Sequence, residues 1–286
     1  MKMCRQSILR RVQMATAAIL VAVVVAACGG VKSTVEDEAE SLIFGCVEIA
    51  DTAAYRLSPS TICQVVVKTK VEYPLVYVDS MSTITLQSLY AYSVLNSSVD
   101  SAGLEETIRL YADSLTASYG EVEDEVKISS AKPFTDGERI MASVNISPVY
   151  NQCGILTFCR EVSNHLGNET MTTSHTYINL STKAMNVISM HDIFYDESLP
   201  ALSEMIKQRL LEQNGVKSEQ ELIDLGYFRL DNVCVNDNFR ITSDGIIWTF
   251  PVLEIACYSI GEVEVELEYE QLKPYIVKQS MVDIYL

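Results

Sequence analysis

The segment from Glu262 to Tyr269, with the sequence EVEVELEY, alternates glutamate with an apolar or aromatic residue at every step. Successive side chains of a β-strand point to opposite faces of the sheet, so this alternation predicts a strand with one buried and one wet face. Strands of that kind are typical of antiparallel sheets. The segment therefore indicates an antiparallel sheet that the rest of the chain covers on one side.

Other segments extend this sheet. The pair Asp244-Gly245 is a hairpin signal that joins Phe239–Thr242 to Ile246–Phe250, and Asp136-Gly137 is a second such pair, which joins Val126–Pro133 to Ile140–Val149. Alternation or β-branched composition predicts further strands at Cys63–Tyr73, Val126–Pro133, Ile140–Val149, Ile155–Val162 and Thr172–Leu180.

Helices are predicted by apolar residues that recur every three to four positions. This spacing gives a helix from Leu104 to Tyr119 and a shorter one from Leu86 to Leu95. A third helix begins at Ser198 and ends at Asn214-Gly215, and Ser218 with Glu221 forms a capping box for a short fourth one. We therefore predict the α+β class, an antiparallel sheet with helices packed on one face, in one or two lobes.

The N-terminus has the pattern of a lipoprotein signal peptide. Basic residues precede an uncharged run from Met14 to Ala27, which ends on Ala-Ala-Cys-Gly. The run is shorter than the roughly 20 apolar residues that cross a bilayer. We predict that residues 1–27 are removed and that Cys28 carries the lipid; the alternative is an ordinary signal peptide followed by a coincidental cysteine.

The lipid prediction sets the expected location and the division of the chain. Diacylglycerol on the thiol and a further acyl chain such as palmitate supply the two anchors that stable attachment needs. We expect an extracytoplasmic lipoprotein at the outer membrane, on its periplasmic side or on the cell surface. Residues 28–45 are predicted to be an acidic tether, 46–180 an N-terminal α+β lobe and 181–286 a C-terminal α+β lobe.

The charge balance limits the partners. The chain has 38 acidic residues against 21 lysines and arginines, a formal net charge of −17. Such a charge argues against a nucleic-acid partner and favours a cationic one. The simpler alternative is an acidic, solvated surface without a partner.

The cysteines suggest disulfide bonds rather than a metal site. Once Cys4 is removed and Cys28 is lipidated, six cysteines remain, and an even number is typical of exported proteins with disulfides. We favour the pairs Cys46–Cys63 and Cys234–Cys257. No CxxC or HExxH spacing supports zinc, so we predict no metal and no cofactor.

The sequence has no recognisable catalytic motif. It lacks a GxSxG elbow, a Walker loop, a dinucleotide-binding glycine fingerprint and a zincin helix. His175 on a predicted strand and His191 before a turn are expected to have structural roles. We predict that the chain is not an enzyme, with two alternatives: a hydrolase of envelope glycans with an unrecognised site, or a scaffold of an envelope complex.

A family resemblance gives a more specific expectation. Its motifs are YNQCGILT at 150–157, YINLSTK at 177–183, MHDIF at 190–194, DGIIWTF at 244–250 and LEIACYSIG at 253–261. In this order they resemble the paired domains of unknown function in the extracellular part of RsiV, a lysozyme-sensing anti-sigma factor, and ahead of the catalytic domain of PdaC, a peptidoglycan deacetylase. The resemblance spans roughly residues 61–276 and is most specific in the C-terminal half.

The resemblance implies a module that binds, with a lysozyme-like protein or peptidoglycan as the expected partner. Glu254, Tyr258 and Gly261 lie on the most family-like turn and are the predicted binding residues, because tyrosine offers a partner both an aromatic face and a hydroxyl. The alternative is that Tyr258 packs in the core and Gly261 only permits a turn.

Overall fold

The computed structural model describes residues 42–58, 61–119, 140–165 and 172–286, which form two sheets and two groups of helices. A six-stranded sheet has the order β1-β2-β3-β4-β5-β6, and a three-stranded sheet has the order β7-β8-β9. The strands are β1 (Ile43–Ser58), β2 (Thr61–Val76), β3 (Ile140–Gln152), β4 (Ile155–His165), β5 (Thr172–Ser181), β6 (Asn186–Val187), β7 (Phe239–Ile241), β8 (Gly245–Phe250) and β9 (Val263–Glu268).

Two long helices accompany the first sheet and a second group accompanies the other. The helices are α1 (Ser80–Val94), α2 (Leu104–Ser118), α3 (Met190–Ile193), α4 (Leu199–Gln213), α5 (Glu219–Asp224) and α6 (Tyr269–Leu272). Short 3-10 turns lie at Asp196–Ser198, Leu230–Asn232, Lys273–Tyr275 and Asp283–Tyr285. No helix within the described ranges is long and apolar enough to cross a membrane.

The first sheet is antiparallel with one exception. β2 and β3 pair in parallel, because the chain passes through α1 and α2 before it returns to the sheet. These two helices share one buried apolar cluster with the sheet. The prediction of an antiparallel sheet with helices on one face is confirmed, and the parallel pair is the departure from it.

The second sheet lies on a separate apolar cluster, which contains Trp248, Phe250 and the apolar face of β9. α4 packs against β9. The alternation of β9 is confirmed, since Val263, Val265 and Leu267 are buried and the glutamates between them are exposed. The first sheet ends at Val187, a few residues beyond the boundary predicted at 180/181.

The first strand lies where the sequence predicted the end of the tether. β1 begins at Ile43 and pairs with β2 along its length. Its alternation is faint because Cys46 and Ala50, which are not polar, alternate with the core-facing Val47 and Ile49. Gly45 has a steric role, since a Cβ at this position would lie 2.5 Å from Cζ of Tyr73 on the paired strand.

The local start and stop signals agree with the helices observed. The α4 helix follows Ser198 and has a proline in its first turn, and α2 spans Leu104–Ser118 as predicted. Ser218 Oγ accepts a hydrogen bond from the Glu221 N–H at the start of α5. α1 begins six residues earlier than predicted, because the Asp79 carboxylate caps the N–H groups of residues 81 and 82.

One of the two predicted hairpins lies within the described residues. Asp244-Gly245 lies between β7 and β8 as expected. The pair Asp136-Gly137 and the strand Val126–Pro133 lie outside the described residues.

The structure does not contain the predicted disulfides. Cys46 lies opposite Glu72 and Cys63 opposite Tyr55, so nine residues of β1 separate the two cysteines. That separation is about 30 Å along the strand, far beyond the ~7 Å limit between bridged Cα atoms. Cys234 and Cys257 are both free thiols.

Candidate functional site

The glutamate face of β9 divides into two halves with different surroundings. Glu262, just before the strand, and Glu264 contact the first sheet and β7. Glu266 and Glu268 line an open cleft near the hairpin at Asp244. The alternation alone predicted one uniform wet face.

The first half contains an ion pair stacked on a tyrosine. The Arg240 guanidinium donates to both carboxylate oxygens of Glu264, and it also donates to Tyr177 Oη at 2.8 Å. Its central carbon lies 4.8 Å from the centre of the Tyr177 ring, within the range of a cation–π contact. Since Tyr177 belongs to β5 and the pair to β7 and β9, this cluster joins the two sheets.

His175 lies between two carboxylates in the same region. Its Nδ1 is 2.8 Å from Glu262, and Glu262 also accepts the backbone N–H of His175. Its Nε2 is 3.5 Å from the carboxylate of Glu161. Both ring nitrogens therefore face acceptors, which agrees with the structural role predicted for this histidine.

Two asparagines complete the contact between β5 of the first sheet and the β7 region of the second, which is called the seam below. Asn179 Nδ2 donates to the Phe239 carbonyl, and its Oδ1 accepts from the Thr157 hydroxyl. Asn238 Oδ1 accepts from the Tyr177 N–H, and its Nδ2 donates to the His175 carbonyl at 3.0 Å. The sequence analysis missed both residues, because their partners lie about 60 positions away.

The nearby cysteine is not an activated nucleophile. Cys159 is buried directly opposite Tyr177 in the β4–β5 register. Burial raises the pKa of its thiol to about 11, so it remains protonated at neutral pH.

Acidification is expected to remove the stabilisation that Glu264 provides. Hydrogen bonding to Arg240 holds the pKa of this carboxyl below its ordinary value. Its contribution is therefore complete above the ordinary value and is lost as the pH falls through the folded-state pKa. The unfolding free energies of wild type and Glu264→Gln should differ by about 1 kcal/mol at pH 7 and converge at an acidic pH below the folded-state pKa of Glu264, as measured by urea titration with Trp248 fluorescence.

Asp113→Asn is the control, since Asp113 is exposed in the middle of α2 and no ion pair among the described residues involves it. Its free energy of unfolding should equal that of wild type at both pH values. A Glu264→Gln effect that grows on acidification would contradict the assignment.

The second half of the β9 face forms an acidic cleft of about 560 Å³. The register between β8 and β9 sets Glu268 opposite Gly245. Asp244, which precedes Gly245, therefore lies at the same edge of the sheet. All seven lining residues belong to the described chain and none is basic; they are Ser243, Asp244, Glu266, Glu268, Tyr269, Glu270 and Tyr285. The cleft is therefore suited to a positively charged group.

Two tyrosines form the aromatic part of this cleft. The rings of Tyr269 and Tyr285 stack with centroids 5.3 Å apart and an interplanar angle of 10°. Tyr285 is held in place by Tyr150, since their hydroxyl oxygens are 2.5 Å apart. Burial raises the pKa of both Tyr269 and Tyr285, so the phenols stay neutral.

The predicted binding residues lie elsewhere, on the loop between β8 and β9. Tyr258 is 48% exposed, so it does not pack in the core as the alternative required. Gly261 has a φ of +84° and open space at its Cβ position, which agrees with a turn. Glu254 is exposed on the same loop, and neither of the two described clefts is lined by these three residues.

Cys28 lies outside the described residues. Within those residues, no group of three or more histidine, cysteine or acidic side chains is arranged to hold a metal ion.

Comparison with known proteins gives one family and a similar fold. A Bacteroides fragilis protein described as a member of the DUF3298 family is 19% identical, with a TM-score of 0.62, and the alignment covers 84% of this chain and 95% of that one. A Pseudomonas aeruginosa DUF3298 family protein is 14% identical, with a TM-score of 0.49, over 82% of this chain and 94% of the other. None of the curated proteins matches this chain. The family described as "Protein of unknown function (DUF3298)" matches residues 191–270, so this chain carries a DUF3298 match over its second sheet, in a fold similar to that of a DUF3298 protein of known structure.

Proposed function

We propose that this protein is a lipid-anchored binding module of the cell envelope, which captures a basic protein through the acidic cleft at the end of β9. In this proposal the lipid is attached to Cys28 and the folded body lies outside the cytoplasm, at the outer membrane. The signal-peptide pattern ending on Ala-Ala-Cys-Gly supports this part of the proposal.

The observation that carries the proposal is the cleft itself. Four carboxylates, those of Asp244, Glu266, Glu268 and Glu270, converge on one concavity of about 560 Å³. This volume lies within the usual range of binding pockets. Like charges gathered without a basic neighbour cost stability, and a bound cation would relieve that cost.

The tyrosines make the cleft selective for cationic side chains. A lysine or arginine from a partner can place its charge among the carboxylates and its stem or plane against an aromatic ring. An inserted arginine could use both kinds of contact, because its guanidinium is planar and forms bidentate pairs with carboxylates.

The resemblance to RsiV and PdaC domains narrows the class of partner. It points to a lysozyme-like protein or to peptidoglycan. Of these two, the acidic cleft favours a basic protein, because opposite charges would drive its recognition. Salt should weaken such binding by screening the charges.

We also propose that the module acts by binding rather than by catalysis. In the seam, both nitrogens of His175 face carboxylates, and the thiol of Cys159 is buried and protonated. The carboxylates of the cleft are exposed, whereas a general acid usually needs a pocket that raises its pKa.

Removing charge from the cleft is expected to weaken binding to a lysozyme about ten-fold, or about 1.4 kcal/mol, at low salt. The test variant is Asp244→Asn/Glu266→Gln/Glu270→Gln, which spares Glu268 because its side chain caps α6. Calorimetric titration of wild type and variant with lysozyme and with muropeptides measures the change and identifies the preferred partner.

A control with the same loss of charge separates the cleft from net charge. Glu105→Gln/Glu106→Gln/Asp113→Asn removes three charges from the exposed face of α2 and should change the affinity less than two-fold, since exposed charges remote from the site act weakly. Equal effects of the two variants, or no binding by wild type at low salt, would refute the proposal.

A separate variant tests the loop predicted from the sequence. Tyr258→Ala removes its exposed aromatic side chain without changing the cleft. A loss of affinity in this variant, with the cleft variant unaffected, would move the binding site to the loop.

A further inference from the structure

The outer face of α1 differs from the rest of this acidic surface. Charged residues make up 21% of the chain, yet α1 contains none in its 15 residues. Apolar residues lie on every side of it, and a helix of that kind is normally covered on all sides. Here the outward side is uncovered, with Met81 72% and Tyr92 73% exposed.

The polar atoms on this face are already satisfied within the helix. The hydroxyls of Thr85 and Ser88 donate to the carbonyls of Met81 and Ile84, four residues earlier. Hydroxyls bonded in this way do not require water. Transfer of the face to a less polar surface therefore costs little.

The apolar surface continues at the N-terminal end of α1. Val78 is 63% exposed and has a φ of +43°, which is rare for a β-branched residue and costs free energy. The α1 surface is defined as Val78 together with Met81, Ile84 and Tyr92.

The position of the α1 surface indicates what covers it. Ile43 is the first residue of β1 and pairs with Val76, four residues before α1 begins, so the chain that leads back to Cys28 enters the fold near the N-terminal end of this surface. Residues 29–41 can span at most about 45 Å, even when fully extended. A lipid on Cys28 would thus keep this end of the body close to the bilayer.

We propose that the α1 surface rests on the lipid bilayer to which the chain is anchored, with its apolar side chains at the level of the headgroups. Tyrosine, methionine and isoleucine suit that level, because an amphipathic aromatic ring and apolar side chains can enter the interface while the backbone stays folded. The inference rests on the lipid anchor of the proposed function. It orients the body on the membrane through its α1 end.

Quenching by brominated lipids tests this contact directly. The lipidated protein carrying Ile84→Trp is placed in vesicles of phosphatidylethanolamine and phosphatidylglycerol, with or without bromine on the acyl chains. We expect the fluorescence of the introduced indole to fall about two-fold on brominated vesicles, because a side chain at the interface reaches the acyl boundary. Trp248 supplies a constant background, since it is fully buried in the other core.

Leu110→Trp is the matched control, because Leu110 is an exposed apolar residue on α2, beside that helix's acidic residues. It should show no quenching. Tyr92→Trp repeats the test at the other end of the α1 surface and covers a failure of the first variant to fold.

The outcomes separate the contact from the anchor. Flotation with vesicles and quenching only on α1 supports the inference. Flotation without quenching on α1, or equal quenching on α1 and α2, overturns the contact and leaves the anchor intact. Failure to float refutes the anchor and the contact together. A dimer in sedimentation that shields the α1 surface with a second copy of the chain would also overturn the proposed contact with the bilayer.

Discussion

Replacement of Trp248 by alanine is expected to lower the free energy of unfolding by about 4 kcal/mol. The indole is fully buried in the apolar cluster beneath the second sheet, where it contacts Phe194 with ring centroids 6.2 Å apart. Loss of this side chain leaves a cavity that the surrounding helices and strands cannot fill. Urea unfolding followed by circular dichroism measures the change, since Trp248 is the only tryptophan of the chain.

Trp248→Phe is the control for this prediction. The Nε1 of Trp248 is buried without a hydrogen-bond partner among the described residues. Phenylalanine removes that unsatisfied donor, which partly offsets the smaller ring, so the expected loss is about 1 kcal/mol. Equal losses for alanine and phenylalanine would show that ring volume does not stabilise this core.

Replacement of Asn179 by leucine is expected to cost about 2–4 kcal/mol, although leucine has a similar size. Asn179 is 2% exposed and joins β4, β5 and β7 through its amide. Leucine leaves the Phe239 carbonyl and the Thr157 hydroxyl without these bonds in a buried position. Urea titration with Trp248 fluorescence measures the loss.

A double variant checks the reason for this effect. Thr157→Val removes the hydroxyl, one of the two groups that lose a hydrogen bond in Asn179→Leu. The double variant Thr157→Val/Asn179→Leu should therefore lower the free energy of unfolding by less than the sum of the two single changes. Strict additivity would show that the Asn179–Thr157 hydrogen bond is not responsible.

The two predictions concern the packing of the second sheet. Trp248 fills the core of the second sheet, and Asn179 fixes that sheet to the first one. Both variants should also weaken binding at the acidic cleft, because the pairing of β8 with β9 positions Asp244 and Glu268. The α2 charge variant should leave binding nearly unchanged.

Much of the fold was predictable from short-range patterns. The alternation of β9, the hairpin at Asp244-Gly245 and the cap at Ser218 all appear where the sequence predicts them. These features depend on neighbours within about four residues, through side-chain direction and local hydrogen bonds. The strand β1 was missed because its two faces differ little in polarity.

The candidate sites were only partly predictable. The glutamates of β9 were visible as one wet face, but no local pattern places Asp244 beside them or shows a cavity. The aromatic part of the cleft depends on Tyr285, which lies near the C-terminal end of the chain. The predicted Cys46–Cys63 disulfide was wrong for the same reason, since the β1–β2 register, and not spacing in the sequence, sets the distance between these cysteines.

The sequence by itself determined the element types, the acidic charge and the pattern at Cys28, because each follows from composition or from residues close in the chain. Only the tertiary structure decided that Glu262 meets His175, that Glu264 meets Arg240, and that the outward side of α1 is left uncovered. His175 and Glu262 are 87 residues apart, and contacts over such separations arise from how whole sheets pack. Pairwise charge and hydrophobicity allow many partners for each side chain, and the packing of the two sheets selects one.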